Sequence, residues 1–197
     1  MAESNAETEK EILERIGNDD DTGFDLMVEA YGPMLFRYTK RMCGDPSDAE
    51  DVLQDTFLTA QEKIEQFRGE GKLRNWLFTI AGNACRQSRR KRQGKLGSEL
   101  KLEDIMYQPD QIKHDIIPWQ RNPVESAMNS ELGDLLEDAI AKIPETNRGV
   151  LLLRDIEGLS TRETANALDI SEEAVKIRLH RARGFVRNLL QDYFEGK

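Results

Sequence analysis

The chain has 197 residues, 38% hydrophobic and 33% charged, with 28 Lys and Arg against 37 Asp and Glu for a formal charge of −9. That balance suits thin helical cores under broad charged surfaces, in one ordinary domain or two small ones. It excludes a membrane-spanning helix, because no run of about 18 apolar residues occurs.

The charge is unevenly placed. The first 23 residues carry Glu3, Glu7, Glu9, Glu11, Glu14, Asp19, Asp20 and Asp21 against Lys10 and Arg15. They lack the basic and apolar regions of a secretory signal, so the expectation is a cytoplasmic chain with no membrane insertion, opening on a flexible acidic extension over 1–23. The sign reverses after Phe67, where Arg68, Lys72, Arg74, Arg86, Arg89, Arg90, Lys91, Arg92 and Lys95 face only Glu70. A second basic cluster holds Lys176, Arg178, Arg181, Arg183 and Arg187. Two basic patches in an acidic chain predict two contacts with a polyanion and a different partner for the acidic faces.

In chain order, Phe24, Met27, Val28, Tyr31, Leu35, Tyr38 and Met42 recur at helical spacing, across a Gly32-Pro33 pair that kinks the helix or divides it. Gly44 ends this helix. A second helix begins at Asp45-Pro46-Ser47, where Ser47 and Glu50 form a capping-box pattern, and its apolar stripe is Ala49, Val52, Leu53, Phe57, Ala60, Ile64 and Phe67. Its other face carries Asp48, Asp51, Gln54, Asp55 and Glu62. The loop Arg68-Gly69-Glu70-Gly71 leads into a third helix over 73–93, with Leu73, Trp76, Leu77, Ile80, Ala81 and Ala84 inward. Its outward line, Thr79, Asn83, Arg86 and Arg90, joins Phe67 and Arg68 of the loop in a surface suited to single-stranded DNA. Cations follow the backbone there and polar groups read the edge of an unstacked base. Trp76 fits core packing or base stacking.

Periodicity fades over 94–123, which reads as a linker punctuated by Gly94, Gly97, Pro109, Pro118 and Pro123. Ile105, Met106, Tyr107, Ile112, Ile116, Ile117 and Trp119 are too apolar for a solvated tether, so part of it should pack on something. A second domain is expected over 124–197. Its first helix is expected from near Pro123 to Ala141, with Leu132, Leu135, Leu136 and Ile140 inward and Ile143-Pro144 closing it, and a second, with Val150, Leu151, Leu152 and Ile156, stops at Gly158. Ser160 and Glu163 make a capping box for a helix over 161–168, and Asp169-Ile170-Ser171 is a tight turn before the last helix. Short helix, turn and basic helix describe a helix-turn-helix, although a solvated three-helix bundle would show the same pattern. Val175, Leu179, Ala182 and Val186 face inward. Glu173, Lys176, Ile177, His180 and Arg181 are left for a major groove, with Lys176 and Arg181 on phosphate or guanine, Ile177 on a thymine methyl and Glu173 on cytosine.

No side-chain set points to catalysis or to a bound cofactor. His114 and His180 stand singly, without metal-ligand spacing. Cys43 and Cys85, far apart and outside any CxxC, are expected as small apolar residues rather than a disulfide or metal site.

The segments DAEDVLQDTFLTA (48–60), FRGEGKLRNWLFTIAGNACRQSRRKR (67–92) and IPETNRGVLLLRDIEGLSTRETANALDISEEAVKIRLHRAR (143–183) resemble the extracytoplasmic-function (ECF) sigma factors of bacterial RNA polymerase, in family order and spacing. The resemblance implies an all-α chain of two small domains and a linker, the first (24–93) corresponding to sigma region 2 and the second (124–197) to region 4. It implies that Asp51, Gln54 and Asp55 grip the β′ coiled coil of core polymerase. Phe67, Arg68, Thr79, Asn83, Arg86 and Arg90 would melt and hold the −10 element, with Asn83 at the position of the flipped-base pocket. It further implies −35 recognition by Glu173, Lys176, Ile177, His180 and Arg181, and contact of the upstream helix with the β flap. Glu99, Glu103, Asp104, Asp110 and Asp115 of the linker would lie along the polymerase interior, and an anti-sigma factor would be a partner. Asp169 departs from the family's turn glycine, and Ile177 from a small polar residue. An autonomous helix-turn-helix regulator that needs no polymerase is the competing reading, and it leaves 48–92 without purpose. A nuclease fails because the acids lie on one exposed helix with no His or Lys to complete a site.

Overall fold

All regular structure is helical among the residues described by the computed structural model, which are 2–67, 69, 71–96 and 131–194, with side chains for 7–67, 69, 71–91 and 133–191. The chain forms two compact units, Met1–Lys91 and Arg92–Lys197.

In the first unit, α1 (Ala2–Gly17) corrects the expectation of a flexible extension. Ile12 is fully buried, and Glu9 accepts a hydrogen bond from the backbone N–H of Leu73 at 2.9 Å. Glu7, Glu11 and Glu14 therefore lie on the exposed face of a docked helix, and Glu9 turns towards the core. Gly23 makes the docking possible, since a Cβ there would lie 2.8 Å from Ile16 Cγ1 and 2.9 Å from the Ile16 nitrogen.

Helix α2 (Thr22–Cys43) runs unbroken through Pro33, and Gly44 closes it in the left-handed region with its N–H on the Lys40 carbonyl. Undivided, it places Met27, Tyr31, Leu35, Tyr38 and Met42 on one buried line. Helix α3 (Pro46–Lys63) starts within the expected Asp45-Pro46-Ser47, with Asp45 rather than Ser47 as its cap: the Asp45 carboxylate accepts from the N–H groups of Ser47 and Asp48 at 2.9 and 3.3 Å. Its buried stripe is narrow and small: Ala49, Val52, Thr56 and Ala60. Small side chains bring α2 close enough for the Thr39 hydroxyl to donate to the carbonyls of Phe36 (3.1 Å) and Ala49 (3.2 Å). Leu53, Phe57, Ile64 and Phe67, expected inside, are only half-buried.

A 3₁₀ turn (Ile64–Gln66) and the glycine loop lead into α4 (Leu73–Leu96). Leu73, Leu77, Phe78, Ala81 and Cys85 form its buried face, whereas Trp76, Ile80 and Ala84 sit at the margin. Phe78 was not expected inside; its ring meets Tyr38 edge-on at 5.2 Å.

Burial pushes the Tyr31 hydroxyl from its usual 10 up to about 12, with Glu9 adding to the rise and Arg74 opposing it. A raised folded value means the neutral phenol stabilises the fold fully below pH 10, and that contribution disappears as pH climbs through 12. Urea denaturation across this window should show the first unit weakening with pH, and Tyr31→Phe should flatten the dependence.

The second unit comprises α5 (Glu131–Lys142), α6 (Glu145–Leu151) continuing into a π-helical turn (Leu152–Ile156), α7 (Thr161–Leu168) and α8 (Glu172–Phe194). The expected start of α5 near Pro123, the inward Leu132 side chain and the linker from Gly97 onward, with Trp119 and His114, lie outside the described residues. Leu136, Ile140, Ile143, Leu152, Leu153 and Leu159 close over α8 from one side, and Ala165, Leu168, Val175, Leu179, Ala182 and Val186 pack beneath them. Both halves of the Ser160–Glu163 capping box are present, at 2.7 and 3.2 Å. Asp169 adopts φ 54 and ψ 54, and its N–H bonds back to α7. A β-branched side chain cannot take this conformation without clash. Asp169→Val should therefore cost about 1–2 kcal/mol in chemical denaturation, whereas Asp169→Gly should leave stability undiminished.

Candidate nucleic-acid interface

Helix α8 separates its two jobs by face. Val175, Leu179, Ala182 and Val186 are buried, while Glu173, Lys176, Ile177, His180 and Arg181 are all exposed. Ile177 is 53% exposed, a large apolar side chain on an otherwise polar face. The Ser171 hydroxyl accepts from Ala174 N–H at 3.1 Å, fixing the entry of α8 and with it the direction of this face.

Several neighbouring cations serve the fold instead. Arg183, grouped by sequence with the basic cluster, holds Asp155 through two hydrogen bonds of 2.6 and 2.8 Å. That bidentate pair ties the π-helical turn to α8 and, through its hydrogen bonds to the carboxylate, raises the Arg183 pKa. Arg148 spans the end of α5, donating to the carbonyls of Ile143 (3.1 and 2.9 Å) and Ala141, and Arg154 donates to Leu159.

On α4 the expected line is present but not uniform. Asn83 and Arg90 are exposed; Thr79 and Arg86 are half-buried. The Thr79 hydroxyl donates to Asn75 in its own helix at 3.1 Å. Arg86 donates to the Asn83 side-chain carbonyl oxygen, so the amide's own acceptor is already engaged. Phe67 and Trp76 stack obliquely, centroids 5.5 Å apart, and flank the loop in which Gly69 and Gly71 have φ +70 and +154. Trp76 is thus neither wholly core nor free to stack. Arg68 lies outside the described residues.

Asp51, Gln54 and Asp55 are exposed on α3, and beside them runs an apolar groove of about 370 Å³ between α2 and α3. Phe24, Val28, Phe36, Leu53, Phe57 and Leu58 line it, with Val28 and Leu58 45% and 51% exposed. Sequence reasoning assigned Leu53 and Phe57 to the interior and left Leu58 unremarked. The missed signal was the apolar character of Leu53, Phe57 and Leu58 together, a stripe wider than one neighbouring helix covers.

Two family models match: sigma-70 region 2 over residues 27–95, and sigma-70 region 4 over 133–186. The ECF RNA polymerase sigma-E factor of Haemophilus influenzae is 31% identical over 93% of this chain and 96% of its own length. The chain belongs to the ECF sigma factor family. The SigW factor of Bacillus subtilis is 29% identical over 93% of this chain and 97% of its own. A similar fold occurs in the sigma factor RpoE of Bartonella quintana, solved with the anti-sigma factor NepR, at 23% identity and a TM-score of 0.64 over 85% of this chain and 96% of that one.

The region 2 match spans the acidic α3 and the basic α4 of this sigma factor, and the region 4 match spans the helix-turn-helix. No helix among the described residues is long and apolar enough to cross a membrane. In this sigma factor Asp155→Ala should leave the part-buried Arg183 without its carboxylate, costing roughly 1–3 kcal/mol. Thermal melts of the two single variants and the double Asp155→Ala/Arg183→Met variant would measure the coupling.

Proposed function

We propose that this sigma factor directs core RNA polymerase to promoters by two chemically different contacts with DNA and one with polymerase. The observation that carries the reading is the segregation of exposed groups. An apolar groove edged by Glu50 lies on α2 and α3, an exposed Asn83 amide beside Arg86 lies on α4, and a mixed polar and apolar face lies on α8. Asp51, Gln54 and Asp55, with the groove beside them, suit a basic amphipathic coiled coil such as that of β′.

Helix α8 reads the −35 element as duplex. Lys176 and Arg181 contact phosphate or guanine, Ile177 a thymine methyl, Glu173 a cytosine amine and His180 the backbone. Phe67, Arg68, Thr79, Asn83, Arg86 and Arg90 hold the opened −10 strand, with Asn83 reading the flipped base. Strand capture offsets an unstacking cost of a few kcal/mol per base. Residues 24–93 form the polymerase and −10 unit, on which α1 packs, and 124–197 the −35 unit, the upstream helix of the latter touching the β flap. The linker over 94–123, with Glu99, Glu103, Asp104, Asp110 and Asp115, follows the polymerase interior. The factor works in the cytoplasm, performs no catalysis itself, needs no metal or cofactor, and is restrained by an anti-sigma factor. Family membership disfavours an autonomous regulator.

Purified protein should co-migrate with core polymerase, and Asp51→Lys/Asp55→Lys should abolish this without changing the fold. With the holoenzyme, Arg181→Ala should weaken closed-complex binding and flatten its salt dependence by about one unit of slope. Asn83→Ala should leave closed-complex binding intact and reduce permanganate-detected opening. Tight binding to promoter duplex by the protein alone would refute the reading.

A further inference from the structure

The chain has only two cysteines, 42 positions apart, and the fold brings their sulfur atoms to 3.2 Å. Cys43 is the last residue of α2, half-buried at the edge of the unit; Cys85 is buried midway along α4. Packing alone would account for two small apolar side chains. It does not account for their meeting across two helices with one of them reachable from solvent.

A disulfide requires sulfur atoms about 2.05 Å apart, so these need approach by only about 1.1 Å. Gly44, in the left-handed region beside Cys43, is a turn rather than helix and can take up such a shift. In a reducing compartment a bridge of this kind is transient, made by an oxidant and removed by cellular dithiols.

We propose that Cys43 and Cys85 form a peroxide-responsive dithiol whose oxidation to an internal disulfide restrains α4 and lowers promoter opening. The solvent-reachable Cys43 sulfur attacks the O–O bond of hydrogen peroxide, becoming a sulfenic acid as the other oxygen leaves as water. The Cys85 sulfur then attacks Cys43 sulfur. The S–S bond forms, the S–O bond breaks, and the hydroxide leaves as a second water with the Cys85 proton. Two thiols are oxidised by two electrons, and one peroxide is reduced to two waters. A small dithiol reverses the change by exchange, itself becoming a disulfide.

The bridge forms behind the helix face presented to DNA. Cys85 lies two residues after Asn83 and one before Arg86, so drawing it towards α2 displaces the base-reading pair by a fraction of the sulfur movement. The consequence for opening rests on the assignment of α4 to the −10 strand; the thiol chemistry does not.

The test uses full-length protein treated with hydrogen peroxide, then alkylated and examined by intact-mass spectrometry and non-reducing electrophoresis. The expected result is a monomer lighter by two hydrogens and closed to alkylation, restored by dithiothreitol. Its thermal midpoint should rise by roughly 10 °C, because the bridge closes a long loop. Promoter opening with core polymerase should fall by at least about fivefold and recover on reduction. Cys43→Ser and Cys85→Ala should each lose the response; if Cys85→Ala does not fold, Cys43→Ser at the half-buried position is the control.

Thiols that remain alkylatable, over-oxidise without a bridge, or link only between molecules would overturn the dithiol. A bridge that leaves opening unchanged would overturn its regulatory role. If the reduced protein opens no promoter, the −10 assignment fails, while mass and thermal midpoint still decide the dithiol.

Discussion

The edge-on contact between Tyr38 and Phe78, both essentially without solvent exposure, holds a helix that would otherwise have little reason to stay. From Arg86 onward α4 is nearly all polar or cationic, and like charges on successive turns favour neither helix nor docking. Its seat is the first half, where Leu73, Leu77, Phe78 and Ala81 enter the core, with Cys85 one turn further on. A fully buried phenylalanine contributes about 1.5–3 kcal/mol and an aromatic pair about 0.5–1.5 more. That half is further fixed at its first residue by Glu9 from α1. The basic half extends from this anchored base, with Arg90 and Lys91 exposed.

The same economy shapes α3. Small Ala49, Thr56 and Ala60 let α2 approach closely, which spends the inward face of α3 on contact and leaves Leu53, Phe57 and Leu58 to one side. The resulting groove is a by-product of tight packing elsewhere. Glu50 and Gln54 of α3 stand at its edge.

Most of the second unit was legible in the sequence because its signals are local. The Ser160–Glu163 box, the left-handed Asp169 and the four-residue rhythm from Val175 to Val186 all act within one or two turns, and each is present in the fold. The function of individual cations was not legible. Arg183 pairs with Asp155 28 positions away, and nothing along the chain distinguishes it from Arg181, which stays exposed. The acidic start was misread for a related reason: composition describes its outer face, but Ile12 and a hydrogen bond from Leu73, 64 residues distant, determine its state. The Cys43–Cys85 contact leaves no trace in spacing because neither residue belongs to a motif.

Burial divides the residues that specify the fold from those proposed to specify the promoter. Ile177, Lys176, Arg181 and Asn83 lie outside the cores, so exchanging them costs little folding free energy, of order half a kcal/mol or less for an ordinary surface position. A scaffold of this kind can keep its helices while its exposed face changes. That accords with a TM-score of 0.64 to a sigma factor sharing only 23% identity. Arg183 and Asp155 are the opposite case: the pair ties the π-helical turn to α8, so it bears on the position of the exposed face of α8 without forming part of it. Fold and specificity meet at such tethering residues, and there a change in sequence would be felt as misalignment rather than as a lost contact with DNA.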